Sequence, residues 1–309
     1  MLLHIEAVCL AALTALLAGP ASAGLARARW TARSPRAALV LWQAVGLGGG
    51  LGVLSAGLTL AAADLAGQWV AGVAAVPGQW RRFGPAGWFG MGITLGVGVY
   101  LVSATATSTM RILADRRSHR HRLALISTPL EPRWPAGREM GTPVRLVDHP
   151  HAVAYCLPGF RPRVVLTRGA LDVLDAAELE AVLAHEQAHA RGRHDLVIQP
   201  FIAWAKTFPF LSPGRRAVGA VTLLVEMLAD DAAVRRCGRA PLHSALHKLR
   251  DQHLAVGGAD TDAWRRQLRT RITRISAEAP GALPRPMSAL IYGAAFVLVV
   301  APPMVLLFS

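Results

Sequence analysis

Residues 37–63 read AALVLWQAVGLGGGLGVLSAGLTLAAA, a run of 27 residues without one charged side chain. About 20 predominantly apolar residues suffice to cross a bilayer as a helix, so this stretch predicts a transmembrane span. Working outward, three more uncharged runs of similar length lie at roughly 7–26, 86–110 and 287–309. The expected fold class is therefore a multi-pass α-helical membrane protein with four spans. The segment 65–80 (LAGQWVAGVAAVPGQW) is uncharged too, but it is shorter and holds Pro77, so it reads as a loop or interfacial helix. Bulk composition agrees: 53% of the 309 residues are hydrophobic and 17% are charged. That excludes an ordinary soluble domain, a disordered chain and a disulfide-stapled one.

Charge and apolarity are segregated along the chain. Residues 1–110 carry 6 arginines against 2 acids, residues 111–286 carry 27 basic against 17 acidic groups, and residues 287–309 carry none. The resulting domain reading is a membrane region over 1–110, a polar domain over 111–286 and a last span over 287–309. A net charge of +14 would suit nucleic acid, yet no binding motif accompanies it, and direct nucleic-acid binding is not expected. The arginines instead flank the apolar runs: Arg111, Arg116, Arg117, Arg120 and Arg122 after the third, Arg265, Arg266, Arg269, Arg271 and Arg274 before the fourth. This is the pattern of cytoplasmic flanks in contact with anionic lipid. It orients the chain in a bacterial-type inner membrane with the N-terminus outside and the polar domain cytoplasmic. GPASA at 19–23 resembles a signal-peptidase site, and cleavage there would reverse every later orientation. The preceding residues hold Glu6 and no Lys or Arg, so retention of the segment is expected. Three widely spaced cysteines, Cys9, Cys156 and Cys237, fit a reducing compartment.

Within the polar domain, 144–148, 152–157 and 161–167 read as short strands, with Pro158-Gly159 as a turn. Asp175 and Glu178 form a capping-box pattern that opens a helix through about Ala190, closed by Gly192. A second helix runs from about Arg216 to Cys237 and stops at Gly238. Between them, 196–211 (LVIQPFIAWAKTFPFL) is apolar but interrupted by Pro200, Lys206 and Pro209. It is either buried core or a segment leaning on the membrane.

The first of these helices carries His185-Glu186-Gln187-Ala188-His189. The i, i+4 spacing puts both imidazoles on one face, one turn apart, where they can grip a single Zn²⁺, and Glu186 then stands to take a proton from a water the metal acidifies. The plainer reading is a solvated helix face with two satisfied histidines. A catalytic zinc needs a third protein ligand, and Glu226-Met227-Leu228-Ala229-Asp230 offers one 37 positions after His189. Glu226 and Asp230 again share a face. Glu226 would bind the metal, and Asp230 would hold a ligand histidine by its second nitrogen. A surface carboxylate within LLVEML would be costly.

HEQAH followed by EMLAD, together with RPRVVLTRGALDVL, ELEAVLA and RGRHD, resembles the membrane metallopeptidases of the BlaR/MecR antirepressor family, and more distantly the prenyl-protein and heat-shock membrane zinc peptidases. The likeness is dense from about 150 to 236. It implies a gluzincin-like α+β peptidase domain inserted between the third and fourth spans, one zinc per chain on His185, His189 and Glu226, and Glu186 as the catalytic base. It also implies a winged-helix repressor as the protein substrate, cut in signal transduction, with constitutive quality control or peptide processing as the alternative. The beta-lactam receptors of this family carry a penicillin-binding sensor after the fourth span. This sequence ends at Ser309, so no such sensor is expected in it.

Weaker candidates surround this core. The strand 152–157 is a possible edge for an extended substrate. His194 and Asp195 follow the metal helix closely, and Asp195 reads as an outer support of the metal site or as a cap. His243 and His247, at i, i+4, are candidates for stabilising an oxyanion. Cys156 and Cys237 read as small buried residues or redox-sensitive ones, and Trp264 as an interfacial anchor.

Overall fold

The computed structural model describes residues 2–65, 69–130, 142–159, 161–207, 212–255, 262–276 and 283–308. They fall into two compact units, one of Met1–Ser108, Phe201–Ala220 and Leu283–Ser309, the other of Thr109–Pro200 and Val221–Ala282.

Four helices of the described residues are long and apolar enough to cross a membrane. The first joins α1 (Leu2–Leu16) to α2 (Ser22–Arg27) through a π-helical turn, Leu17–Ala21, that contains Pro20. Proline has no N–H to give the ladder, and the widened turn absorbs the missing bond. The second is α3 (Pro35–Ala62), which packs against α1 and against the fourth, α12 (Arg285–Phe308). At Gly48 a Cβ would stand 2.7 Å from the Leu298 carbonyl oxygen, so only glycine lets α3 and α12 approach this closely. The short segment expected as a loop or interfacial helix is α4 (Trp69–Gln79). The apolar stretch after Pro200 also belongs to this unit. Phe201 is buried and packs edge-to-face on Trp42 with ring centroids 6.4 Å apart, which bears out a buried place for that residue, while Leu196 is exposed. Pro209 lies outside the described residues. The polar domain expected as an uninterrupted 111–286 is divided in the structure, where the described residues of 201–220 group with the first unit.

The third apolar run does not end its helix at residue 110. α5 (Pro85–Ile126) is a single helix of 42 residues whose last third is arginine-rich. Nothing in LADRRSHRHRLALI breaks a helix, so the span continues into the polar unit. β1 (Ser127–Leu130) follows directly, a strand hidden from sequence reading by Pro129 and its length of 4 residues. With β2 (Val144–Val147), β3 (Ala154–Leu157) and β4 (Arg163–Thr167) it forms a sheet of order β1-β2-β4-β3. β2 and β4 are parallel, and β3 is antiparallel to β4 at the edge. After the short α6 (Arg168–Val173) comes α7 (Ala176–Arg191), whose Leu183 packs with Val144, Val164 and Leu166 on one sheet face. Leu123 of α5 packs with Leu157 and Val165. α8 (His194–Thr207) and α9 (Ser212–Cys237) each start in one unit and end in the other. α10 (Arg239–Ala255) and α11 (Asp262–Ser276) close the core around Ala181, Ala184, Ala233, Leu242 and Leu268.

The capping box of α7 is present: Asp175 Oδ1 accepts from the N–H of Ala177 and Glu178, and Glu178 Oε2 accepts from the Asp175 N–H at 2.8 Å. Glu178 is buried and also takes Lys248 Nζ at 2.7 Å and the Ser244 hydroxyl at 2.5 Å, tying α7 to α10. Burial pushes its carboxyl up, but these donors outweigh it and hold it below the ordinary range. The folded chain thus binds this proton less readily than the unfolded one, so the stability it contributes is complete above the ordinary 4.5 and is lost as pH falls below it. Glu178→Gln should cost about 1–3 kcal/mol at neutral pH, read as a lower thermal midpoint in detergent. The gap from wild type should narrow below pH 4; a gap constant with pH would contradict the role of the charge.

Candidate metal and peptidase site

The site stands where α7 and α9 cross. Helix periodicity puts His185 and His189 on one face of α7 and Glu226 and Asp230 on one face of α9. The structure brings all four together. His185 Nε2 lies 3.1 Å from His189 Nε2 and 3.4 Å from Glu226 Oε2, and His189 Nε2 lies 3.5 Å from Glu226 Oε1. Ligand bonds of about 2.0–2.2 Å in a tetrahedral zinc site separate neighbouring ligand atoms by about 3.3–3.6 Å. The two histidine–carboxylate separations fall in this range, each to a different Glu226 oxygen, and the nitrogen–nitrogen separation of 3.1 Å is slightly short of it, so the three side chains converge closely enough to share one ion.

The other ring nitrogens sharpen this fit. His185 Nδ1 is 3.0 Å from Asp230 Oδ1, a close contact that misses straight hydrogen-bond geometry, and His189 Nδ1 is 3.0 Å from His194 Nδ1. Burial pushes His185 down, but without a metal the neighbouring carboxylates of Asp230 and Glu226 outweigh it and push it up to about 10, so it carries the proton that bridges these groups. An ion bound there would take that proton's place, with both rings neutral and Nδ1–H turned to Asp230 and His194. Asp230 is thus beside the ring it was expected to hold. His194, weighed only with its neighbour, is the contact to the second ring, while Asp195 pairs with Arg116 at 2.8 Å.

Arg271 completes the cluster, and sequence reading missed it. Its Nε and Nη2 grip Asp230 at 2.8 and 2.7 Å, and its Nη1 reaches Glu226 at 2.8 Å. Arg274 binds both oxygens of the adjacent Asp231 at 2.7 and 3.0 Å. Both arginines had been counted as membrane flank. A signal existed: Glu226, Asp230 and Asp231 within a largely apolar helix require cations, and Arg271 and Arg274 are one turn apart. Trp264, expected as an interfacial anchor, packs on the helical core and lines the cleft, since its helix is buried on that face.

Electrostatics follow from burial against these partners. Burial pushes the Glu226 carboxyl up, but the His185 contact and the Arg271 guanidinium bring it down to about 2. Asp230 is likewise held well below the carboxylate range despite burial, chiefly by Arg271. Burial and the charge of His185 lower His189 to about 3, so it stays a neutral ligand-type imidazole. Glu186 behaves in the opposite way. Burial, with Glu226 adding to it, pushes its carboxyl up to about 7, against His185 and the Cys156 backbone N–H, which favour the charged form.

That N–H locates the substrate edge. Thr167 N donates to Val153 O at 3.1 Å, and from this pair the alternation of an antiparallel ladder turns Tyr155 and Leu157 toward β4. Ala154 and Cys156 therefore aim their backbone groups away from the sheet. They face a cleft of about 550 Å³ whose walls include Ala154, Cys156, Glu186, Glu226, Trp264 and Arg271. Burial pushes the Cys156 thiol up to about 12, so it stays protonated. Neither His243 nor His247 lines the cleft among the described residues; they stack on each other at 4.6 Å on α10.

The profile of peptidase family M48 matches residues 136–211. That stretch holds β2 to α8, including the HEQAH turn, and stops short of Glu226. Over 141 residues the chain is 31% identical to a protein of Thermoplasma acidophilum called "Protease HtpX homolog", covering 42% of this chain and 43% of that protein. The chain thus spans under half the length of this curated relative. No solved structure matches. These likenesses are to peptidases, and the three-residue donor group of His185, His189 and Glu226 is consistent with a metal-dependent one.

Removing the Arg271 guanidinium should leave the buried Asp230 and the half-buried Glu226 without their cation. Arg271→Met should cost about 3–5 kcal/mol, seen as a lower thermal midpoint of the detergent-solubilised chain in chelator. Arg271→Lys, which keeps charge but loses the fork, should recover part of it. An unchanged midpoint in Arg271→Met would contradict a structural role for the network.

Proposed function

We propose that this chain is an integral-membrane zinc endopeptidase, with His185, His189 and Glu226 holding one zinc, Glu186 as general base and Asp230 orienting the His185 ring. The observation that carries the reading is the convergence of His185 Nε2, His189 Nε2 and the two Glu226 carboxylate oxygens at 3.1–3.5 Å, beside the Glu186 carboxylate on the histidines' own helix. Bound there, zinc supplies Lewis acidity, polarising the scissile carbonyl and making water acidic near neutral pH. The chain's own groups do the rest. An extended substrate pairs with the outward backbone groups of Ala154 on β3. Glu186 takes the proton of the attacking water and delivers it to the leaving amine. Asp230, fixed by Arg271, keeps His185 in the tautomer that offers Nε2.

The substrate is a protein at the cytoplasmic face, and two readings of it stand. The motif resemblance favours a small winged-helix repressor cut on a signal. The match to a protease of the HtpX kind favours constitutive processing or quality control of membrane proteins. Comparing new protein N-termini in cells expressing wild type and Glu186→Ala separates them. A cut confined to one DNA-binding repressor supports antirepression, and cuts spread over many membrane proteins support quality control.

The roles differ in what they predict. Glu186→Gln should retain zinc while lowering turnover at least about 100-fold. Glu226→Gln and, more mildly, Asp230→Asn should weaken zinc binding by about 10–100-fold. Metal analysis of the purified variants checks this, and equal zinc loss in the Glu186 and Glu226 variants would undo the division of roles.

A further inference from the structure

A second cavity, of about 550 Å³, lies outside the peptidase cleft, and Arg116, Arg117, Arg120, Arg163, Arg193 and Asp195 stand in its wall. Five guanidiniums meet one carboxylate, and Arg116 occupies that carboxylate at 2.8 Å. Four positive charges are left in excess. Arg117 and Arg163 have no ion-pair partner among the described residues.

The cavity is built rather than incidental. Arg120 Nη2 donates to the carbonyls of Pro158 at 2.7 Å and Arg161 at 3.2 Å, and Arg193 Nη1 donates to the Gly159 carbonyl at 3.1 Å. Carbonyls orient these guanidiniums without neutralising them, and each has five N–H donors, so further donors remain. Gly159 has φ +147°, and a Cβ there would collide with the Arg120 guanidinium; the turn therefore needs glycine to admit the arginine. Arg193 sits at φ 47°, a left-handed backbone that a non-glycine residue adopts at a cost. Convergent, pre-oriented guanidiniums are the chemistry of phosphate recognition.

The position of the cavity selects the source of the phosphate. Arg116, Arg117 and Arg120 lie on α5, the same helix whose uncharged run ends at Met110. At 1.5 Å per residue, Arg116 and Arg117 follow Met110 by about 9–11 Å along that helix. The headgroup layer is about 5–8 Å deep on each side of the hydrocarbon, and long arginine side chains reach back toward it. Leu113 and Leu196, 55% and 50% exposed, stand beside the arginines in the same wall. A free phosphate has no use for exposed leucines, whereas a lipid has an acyl stem to set against them.

We infer that the arginine-lined cavity between α5, Pro158, Gly159 and Arg163, and the start of α8 is a binding site for the phosphate headgroup of an anionic phospholipid. Pro158 and Asp195 line both this cavity and the peptidase cleft, so the bound headgroup stands one side chain from the candidate site.

Native mass spectrometry of the full-length chain in detergent, titrated with phosphatidylglycerol, phosphatidylcholine and inorganic phosphate, tests this. One retained phosphatidylglycerol per chain is expected, in preference to phosphatidylcholine and not displaced by millimolar phosphate. Each arginine near a lipid surface contributes about fivefold, so Arg117→Gln with Arg163→Gln should weaken phosphatidylglycerol binding about 25-fold. The same positions changed to lysine, which keep the charge, should retain most of it. Arg168→Gln with Arg235→Gln, an equal loss of charge elsewhere on the exposed surface, should have little effect. Equal weakening by that second pair would reduce the site to diffuse attraction and overturn it. Displacement by inorganic phosphate would overturn the lipid assignment in favour of a soluble phosphate, and absence of headgroup preference would overturn both.

Discussion

Two acids on α9, the buried Asp230 and the half-buried Glu226, lie in the polar unit, and a single guanidinium, Arg271 of α11, holds both at 2.7–2.8 Å. Charges taken out of water at this depth are tolerable only when paired and hydrogen-bonded. That pairing fixes α9 against α11 and aims the carboxylates at His185 on α7. The capping box of Asp175 and Glu178 sets where α7 begins, hence its phase, and the Lys248 and Ser244 contacts bind it to α10. The donor triangle is the product of these constraints acting together.

The edge of the sheet is the other half of the arrangement. β3 is four residues long, and the Cys156 N–H reaches the Glu186 carboxylate while Ala154 turns toward the cleft. The Glu186 carboxylate and the edge strand are thus joined through one backbone amide, so under the proposed mechanism a substrate backbone placed along β3 would run past Glu186, His185, His189 and Glu226 together.

Much of this was legible in the sequence, for physical reasons that can be named. The spans were legible because lipid demands long uncharged runs. The site helix was legible because a capping box and an i, i+4 histidine pair are local patterns, and Glu226 because a carboxylate inside LLVEML has few innocent explanations. What was not legible depended on distant parts of the chain. Arg271 and Arg274 sit in an arginine-rich helix whose composition also suits a membrane flank, and only packing reveals which face is buried. β1 carries a proline and no alternation. The continuation of α5 to Ile126 follows from the absence of a breaker, which is weaker than a positive signal. The grouping of Phe201 with the spans rests on its contact with Trp42, which no local pattern announces.

The central claim is that His185, His189 and Glu226 form one zinc site. X-ray absorption at the zinc edge of the purified, detergent-solubilised chain tests it most directly. The account predicts about three protein ligand atoms, all nitrogen or oxygen at about 2.0–2.2 Å, with the imidazole signature of two histidines. A sulfur ligand near 2.3 Å, which would bring in a cysteine such as Cys156, or a spectrum with a single imidazole, would contradict it.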